Sequence, residues 1–182
     1  MALTVADSSG SGASSHTAVL IGTDGSNNWT ELGPPVVRQG KYGGALTLNG
    51  SDYATCVSHT GISGGQRRTL SLWFKTSTAN KPLITYGAAG SGTLFKVSLN
   101  GSGAAILDLG GVSITAGTGL ANGAWHHFAA TVPFNGNSGG VKVYVDGSVT
   151  NGSGTTAINT SSSSSSKVKI GFDGSAFFSG QI

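Results

Sequence analysis

Glutamate is nearly missing from this chain: Glu31 is the only one in 182 residues, alongside six aspartates. Glycoside and similar hydrolyses need two carboxyl groups held across from one another. Asp7, Asp24, Asp52, Asp108, Asp146 and Asp173 are spread singly along the sequence, and Asp24, Asp146 and Asp173 precede glycine in turn-like dipeptides. The acid inventory therefore speaks against hydrolysis, and the chain is expected not to be an enzyme. Cysteine is equally scarce. Cys56 stands alone, which excludes an intrachain disulfide, and it lies in an alternating apolar stretch as a small buried hydrophobe.

Charge is sparse as well, at 9% of residues against roughly 25% in ordinary soluble domains. The ten cations are scattered, with only Arg67-Arg68 and Lys167/Lys169 close together, so no basic stripe exists to track a phosphate backbone. Nucleic acid is excluded as a partner. No apolar run approaches the roughly 20 residues of a membrane span, and Met1–Ala6 lacks the basic and apolar regions of a signal peptide.

What the chain has is alternation. Leu70, Leu72 and Phe74 alternate with Ser71, Trp73 and Lys75; Phe95, Val97 and Leu99 with Lys96, Ser98 and Asn100. Val141, Val143 and Val145 alternate with Lys142, Tyr144 and Asp146, and Val168, Ile170 and Phe172 with Lys167, Lys169 and Gly171. Period two places one set of side chains on a core and the other in solvent. Between these stretches lie Asn-Gly and Asp-Gly pairs, including Asn49-Gly50, Asn122-Gly123, Asp146-Gly147 and Asp173-Gly174, which supply positive φ for hairpin turns. A short strand is expected near Thr17–Ile21, and Ser161–Ser166 reads as a loop. No capped window of helical periodicity appears. The expected architecture is a single all-β domain over 1–182, with two antiparallel sheets.

Several pieces carry a family resemblance. Gly123-Ala-Trp-His-His-Phe-Ala-Ala-Thr131 followed by Val141-Lys-Val-Tyr-Val-Asp-Gly147 is similar to the laminin-G-like domains of the concanavalin A-like lectin/glucanase superfamily. Gly40–Gly50 with Tyr53, Thr69–Lys75, Lys169–Gly171 and Phe178–Ile182 fit the same pattern in the same order. The resemblance implies a two-sheet jelly roll. It also implies terminal strands flanking this pattern, so the expectation is that the polypeptide continues past Ile182 or that another chain supplies a strand. The Glu-x-Asp-x-x-Glu strand of the family's glucanases is absent.

For chemistry, His126 and His127 are neighbours on a strand and face opposite sides, so they cannot chelate one ion; both are expected to be framework. Among metals, the resemblance implies at most calcium, at a rim site where Asn49 and Asp52 are the candidate ligands, because a hard cation takes oxygen donors. No other cofactor is expected. Aromatics offer the remaining chemistry, since ring faces stack on sugars. Trp73 and Trp125 are expected to pack, leaving Trp29 and Tyr144 as the exposed candidate ligand-binding pair. Two functions follow. The first is a structural or decoration module of a virion capsid or tail, docked or oligomeric with other subunits, which the uncharged Gly/Ser/Thr surface favours. The second, implied by the family alone, is a lectin-like module binding carbohydrate at an extracellular or cell surface.

Overall fold

The computed structural model describes residues 2–3, 20–21, 29–32, 36–56, 61–161 and 166–182. β1 (Ala2–Leu3) and β2 (Leu20–Ile21) pair with each other as a separate two-stranded sheet, the latter at the end of the stretch where a short strand was expected. The body begins with β3 (Trp29–Leu32), β4 (Val36–Gln39), β5 (Gly44–Asn49), β6 (Tyr53–Cys56) and β7 (Arg68–Lys75). It continues through β8 (Pro82–Gly87), β9 (Leu94–Leu99), β10 (Ala105–Asp108), β11 (Ser113–Ala116) and β12 (Trp125–Val132). After a single 3-10 turn at Ser138–Gly140 come β13 (Lys142–Val145), β14 (Ser148–Asn151), β15 (Lys169–Ile170) and β16 (Ser179–Gln181).

These strands form two seven-stranded antiparallel sheets. The first runs β11-β10-β9-β8-β15-β6-β3 and the second β14-β13-β12-β7-β16-β5-β4. Neighbours close in sequence pair through hairpins, while β15 and β16 return over long connections to insert within the two sheets. This interleaving is the jelly-roll sandwich that the alternating strands predict.

The alternation is borne out side chain by side chain. Phe95, Val97 and Leu99 of β9 are buried, whereas Lys96 and Ser98 between them are only half-buried. Val141, Val143 and Val145 are buried on the facing sheet, and Phe74 and Phe128 meet them there without solvent exposure. All join one contiguous core with Phe178, Leu48, Leu83 and Leu107. Each fully buried Phe or Leu contributes roughly 1.5–3 kcal/mol of burial free energy, which is why a chain so poor in charge and disulfides holds together.

Two hairpins show how local sequence fixes register. Asp146 and Gly147 both take positive φ, at 49° and 84°, and link Val145 to its cross-strand partner Ser148. That two-residue turn matches the twist of its strands. At the other end of the same sheet, Gly40 N–H donates to Gly43 O at 2.7 Å, so Lys41 and Tyr42 form the exposed tip between β4 and β5.

One alternation fails. Val168 and Ile170 are buried, but Phe172 is not their continuation into the core. Gly171 adopts φ +81° with its Cα pressed against Leu48, which breaks the period and sends Phe172 outward onto Tyr53 and Phe177. At the C-terminal strand, Ser179–Gln181 pairs with Asn49–Thr47 of β5, Gln181 also pairs with Lys75, and Ile182 exchanges two backbone hydrogen bonds with Leu46. The strand that ends at Ile182 is therefore paired by its own chain. Among the described residues, no helix is long and apolar enough to cross a membrane.

Candidate functional site

The outer face of the second sheet carries an aromatic row. Because β7 and β12 pair residue for residue from Arg68–Val132 to Lys75–Trp125, Trp73 and His127 sit directly opposite one another and on the solvent side. Their rings lie 5.0 Å apart, tilted at 48°. His127 Nε2 and Ser71 Oγ share a 2.9 Å hydrogen bond, which fixes the imidazole plane. Tyr42 reaches in from the β4–β5 tip and places its ring edge-on to Trp73, centroids 5.6 Å apart at 77°. It is 75% exposed, the most exposed large apolar side chain among the described residues. Lys41 Nζ stands 5.5 Å from the Trp73 ring centre and 6.0 Å from that of Tyr42, within cation–π reach of both.

This row changes the roles expected for the tryptophans. Trp73 and Trp125 are half-buried and face outward from β7 and β12, so neither is a core packing residue. The reason is register: the core side of β7 belongs to Leu70, Leu72 and Phe74, which leaves Trp73 on the wet side. Tyr144 shares that outer face on β13, half-buried, between Ala129 and the exposed Val149 on the neighbouring strands. Trp29 is on β3, the edge of the opposite sheet, and its side chain lies outside the described residues. The fold does not bring Trp29 and Tyr144 together. Sequence reasoning missed Tyr42; the signal that could have found it was an aromatic residue at the tip of a Gly-Lys-Tyr-Gly-Gly turn.

The His126 ring and the His127 backbone serve as framework. His126 Nδ1 bonds Asp146 Oδ2 at 2.7 Å and its Nε2 bonds Asn122 Oδ1 at 3.0 Å, while the His127 N–H donates to Asp146 Oδ1 at 2.8 Å. Partial burial pushes the Asp146 carboxyl up, but the His127 amide and the His126 ring outweigh it and hold the pKa below its ordinary value. Asp146 thus ties the β13–β14 turn to the start of β12.

Asn49 and Asp52 lie at the β5–β6 corner, as expected for a rim. Asn49 Oδ1, however, already accepts hydrogen bonds from Ser51 N at 2.8 Å and Ser51 Oγ at 2.6 Å, and Asp52 is buried. No group of three or more His, Cys, Asp or Glu that could hold a metal occurs among the described residues. Calcium takes six to eight oxygens, of which the side chains of this corner supply those of Asn49, Ser51 and Asp52.

The acids are not all isolated, contrary to the sequence reading. On the outer face of the first sheet, Lys96 Nζ lies 3.7 Å from both Asp108 Oδ2 and Asp173 Oδ2, carboxylates separated by 65 positions in the chain. A glycosidase acid must keep its proton near neutrality, which requires a raised pKa. Asp173 goes the other way: burial raises it, but the Ala176 and Ser175 amides, the Ser175 hydroxyl and Lys96 together hold it below the ordinary value. Asp173 is thus held as a hydrogen-bond acceptor within the fold.

A family model, Laminin_G_3, described as concanavalin A-like lectin/glucanases superfamily, matches residues 48–182. No curated protein matches the chain. Among solved structures, domain 4 of AbnA, a GH43 extracellular arabinanase from Geobacillus stearothermophilus in complex with arabinotriose, superposes with a TM-score of 0.61 at 21% identity, over 85% of this chain and 78% of that one. Domains LG4-5 of the mouse laminin alpha1 chain superpose with a TM-score of 0.57 at 19% identity, over 75% of this chain and 38% of that one. At these identities the likeness is one of fold.

Proposed function

The chain belongs to the laminin-G-like branch of the concanavalin A-like lectin/glucanase superfamily, and from that membership we propose that it is a non-catalytic carbohydrate-binding domain acting at an extracellular surface. The observation that carries the reading is the exposed Tyr42 ring standing against Trp73, with Lys41 above both. Sugar rings present C–H faces that pack on aromatic rings and hydroxyls that need polar partners at the edge. Tyr42 and Trp73 offer the first, while Lys41 and the Ser71–His127 pair offer the second.

The assembly role favoured by composition gains nothing from the matched folds, whereas one of those structures holds arabinotriose. Apart from Tyr42, the large exposed apolar residues among those described are Ile62, Phe134 and Val149. The carbohydrate reading is therefore placed first. The non-catalytic part of the reading is supported by the single Glu of the sequence and by its lack of a Glu-x-Asp-x-x-Glu strand.

The test is retention of the protein on immobilised or gel-embedded polysaccharides, with arabinan, xylan and a neutral β-glucan as probes. Retention on at least one is expected, and Tyr42→Ala weakens it about three- to tenfold, the usual worth of a ring-stacking contact. Because Tyr42 is exposed, its loss leaves the thermal midpoint unchanged. Equal retention of wild type and Tyr42→Ala would remove the platform, and a protein retained by none of the probes would remove the carbohydrate reading.

A further inference from the structure

The first sheet carries a second arrangement, on the side of the molecule opposite the aromatic row. Outward-facing residues of β9, β10 and the turn into β11 line a depression of about 330 Å³: Lys96, Ser98, Ile106, Asp108, Val112 and Ser113. Asp108 of this lining and Asp173, which lies outside it, both approach Lys96. Asp108 uses Oδ1 to accept the Gly110 N–H at 2.8 Å, and its Oδ2 is left pointing at Lys96. Asp173 does the same across the way: Oδ1 accepts Ser175 N at 3.1 Å, Ser175 Oγ at 3.0 Å and Ala176 N at 2.9 Å, and Oδ2 points at Lys96.

Each carboxylate is thus anchored through one oxygen and offers the other. Both Lys96 contacts are 3.7 Å, too long for an N⁺–H···O⁻ hydrogen bond, whose usual length is about 2.7–2.9 Å. The ammonium has three donors and each Oδ2 has lone pairs to offer, and backbone amides hold both carboxylates in place before anything binds. Lys96, Asp108 and Asp173 are only 26%, 29% and 16% exposed, so water screens them incompletely.

The ligand class follows from the donor set. One cation between two anions carries a net charge of −1, which disfavours phosphates and uronates, while the central ammonium disfavours a metal or an amine. A hydroxyl both donates and accepts, so a neutral polyol suits an ammonium and a carboxylate at once. Adjacent hydroxyls on one ring would bridge Lys96 to Asp108 and Asp173, with Ile106 and Val112 available for the ring's C–H edge. The geometry points to a second carbohydrate site in this cleft, taking a neutral sugar unit with vicinal hydroxyls and making the domain bivalent across its two sheets. The inference relies on the carbohydrate reading for its ligand class but not on the Tyr42 platform.

Isothermal titration of the folded chain with arabinotriose, a neutral xylo-oligosaccharide and a neutral gluco-oligosaccharide tests it. Lys96→Met and Asp108→Asn are the variants, since Asn retains an acceptor for Gly110 N–H and guards against misfolding; circular dichroism checks both. Loss of one charged partner to a hydroxyl is expected to weaken binding of at least one probe by about tenfold or more. The component that depends on Lys96 survives in Tyr42→Ala. Binding that is lost in Tyr42→Ala and untouched in both cleft variants overturns the second site while leaving the carbohydrate reading intact. Binding lost in the cleft variants and unaffected by Tyr42→Ala supports the cleft and refutes the platform. No binding of any probe sinks both.

Discussion

Arg68 and Thr160, 92 residues apart in the chain, share a buried 2.7 Å hydrogen bond from the guanidinium to the threonine hydroxyl. The same guanidinium donates to the carbonyl of Ile62 at 2.6 Å, Gln66 at 3.0 Å and Gly64 at 2.5 Å. Arg68 is buried, no carboxylate pairs with it among the described residues, and its charge is satisfied by oxygens of neutral groups. It therefore clasps the loop before β7 and the long return connection before β15 onto the edge of the core, a role that needs a planar fork of donors.

Arg68→Met is expected to destabilise the fold by about 3 kcal/mol, because three carbonyls and a hydroxyl lose a charged donor in a place water cannot easily refill. Arg68→Lys recovers little of it, since one ammonium cannot span four acceptors. Urea denaturation of the three proteins checks the ranking; a lysine variant as stable as wild type contradicts the clasp.

The strands themselves were legible because alternation is a local property. Phe95, Val97 and Leu99 announce their burial within six residues, and the His126–His127 split follows from the same rule. The sites were not legible, because they depend on which strands become neighbours. Nothing near Asp108 in sequence indicates Asp173; β15 must first insert beside β8 and carry the following turn across to Lys96. Tyr42 meets Trp73 only because the β4–β5 tip folds over toward β7. Phe172 was misplaced for a different reason: a single positive-φ glycine reset the period, and a Gly within an alternating run does not reveal its φ.

Tyr86 stacks on Phe95 in the core, centroids 4.9 Å apart, and burial pushes its pKa up to about 12, with Arg68 opposing the rise. In the unfolded chain the phenol titrates near 10. A pKa raised on folding means that the contribution is fully present below pH 10 and is lost as pH rises through 12. Wild type is expected to lose about 2–3 kcal/mol over that interval from this residue, and Tyr86→Phe shows a flatter alkaline limb. Denaturation series at increasing pH decide it; parallel limbs for the two proteins contradict the assignment.

Gly171 is where strand alternation is broken, at φ +81°, and a Cβ placed there would lie 2.2 Å from Leu48 Cδ1. Leu48 is fully buried and cannot withdraw without opening the core. Gly171→Ala is expected to cost about 1–3 kcal/mol from overpacking together with unfavourable φ. It also disturbs the Tyr53–Phe172–Phe177 cluster, so near-ultraviolet circular dichroism changes along with the melting midpoint. An alanine variant with native stability and an unchanged aromatic spectrum contradicts this account.

Asp146 gives the acid limb its sign. The carboxylate accepts from the His127 amide and from the His126 ring, which outweigh partial burial and hold its pKa below the ordinary aspartate value. A pKa lowered on folding stabilises the fold above the unfolded value and ceases to do so as pH falls through the folded one. Asp146→Asn keeps the turn residue's tolerance of positive φ but loses the charge, so it is expected to be less stable than wild type at pH 7, by under about 1 kcal/mol because the 45% exposed side chain is screened by water. The difference shrinks once the pH drops below about 4 and disappears when the wild-type carboxyl is itself protonated. Thermal melts of both proteins from pH 7 to pH 2 measure the gap directly. A constant gap across that range would mean that Asp146 acts through shape alone, and that its charge contributes nothing to holding the β13–β14 turn against β12.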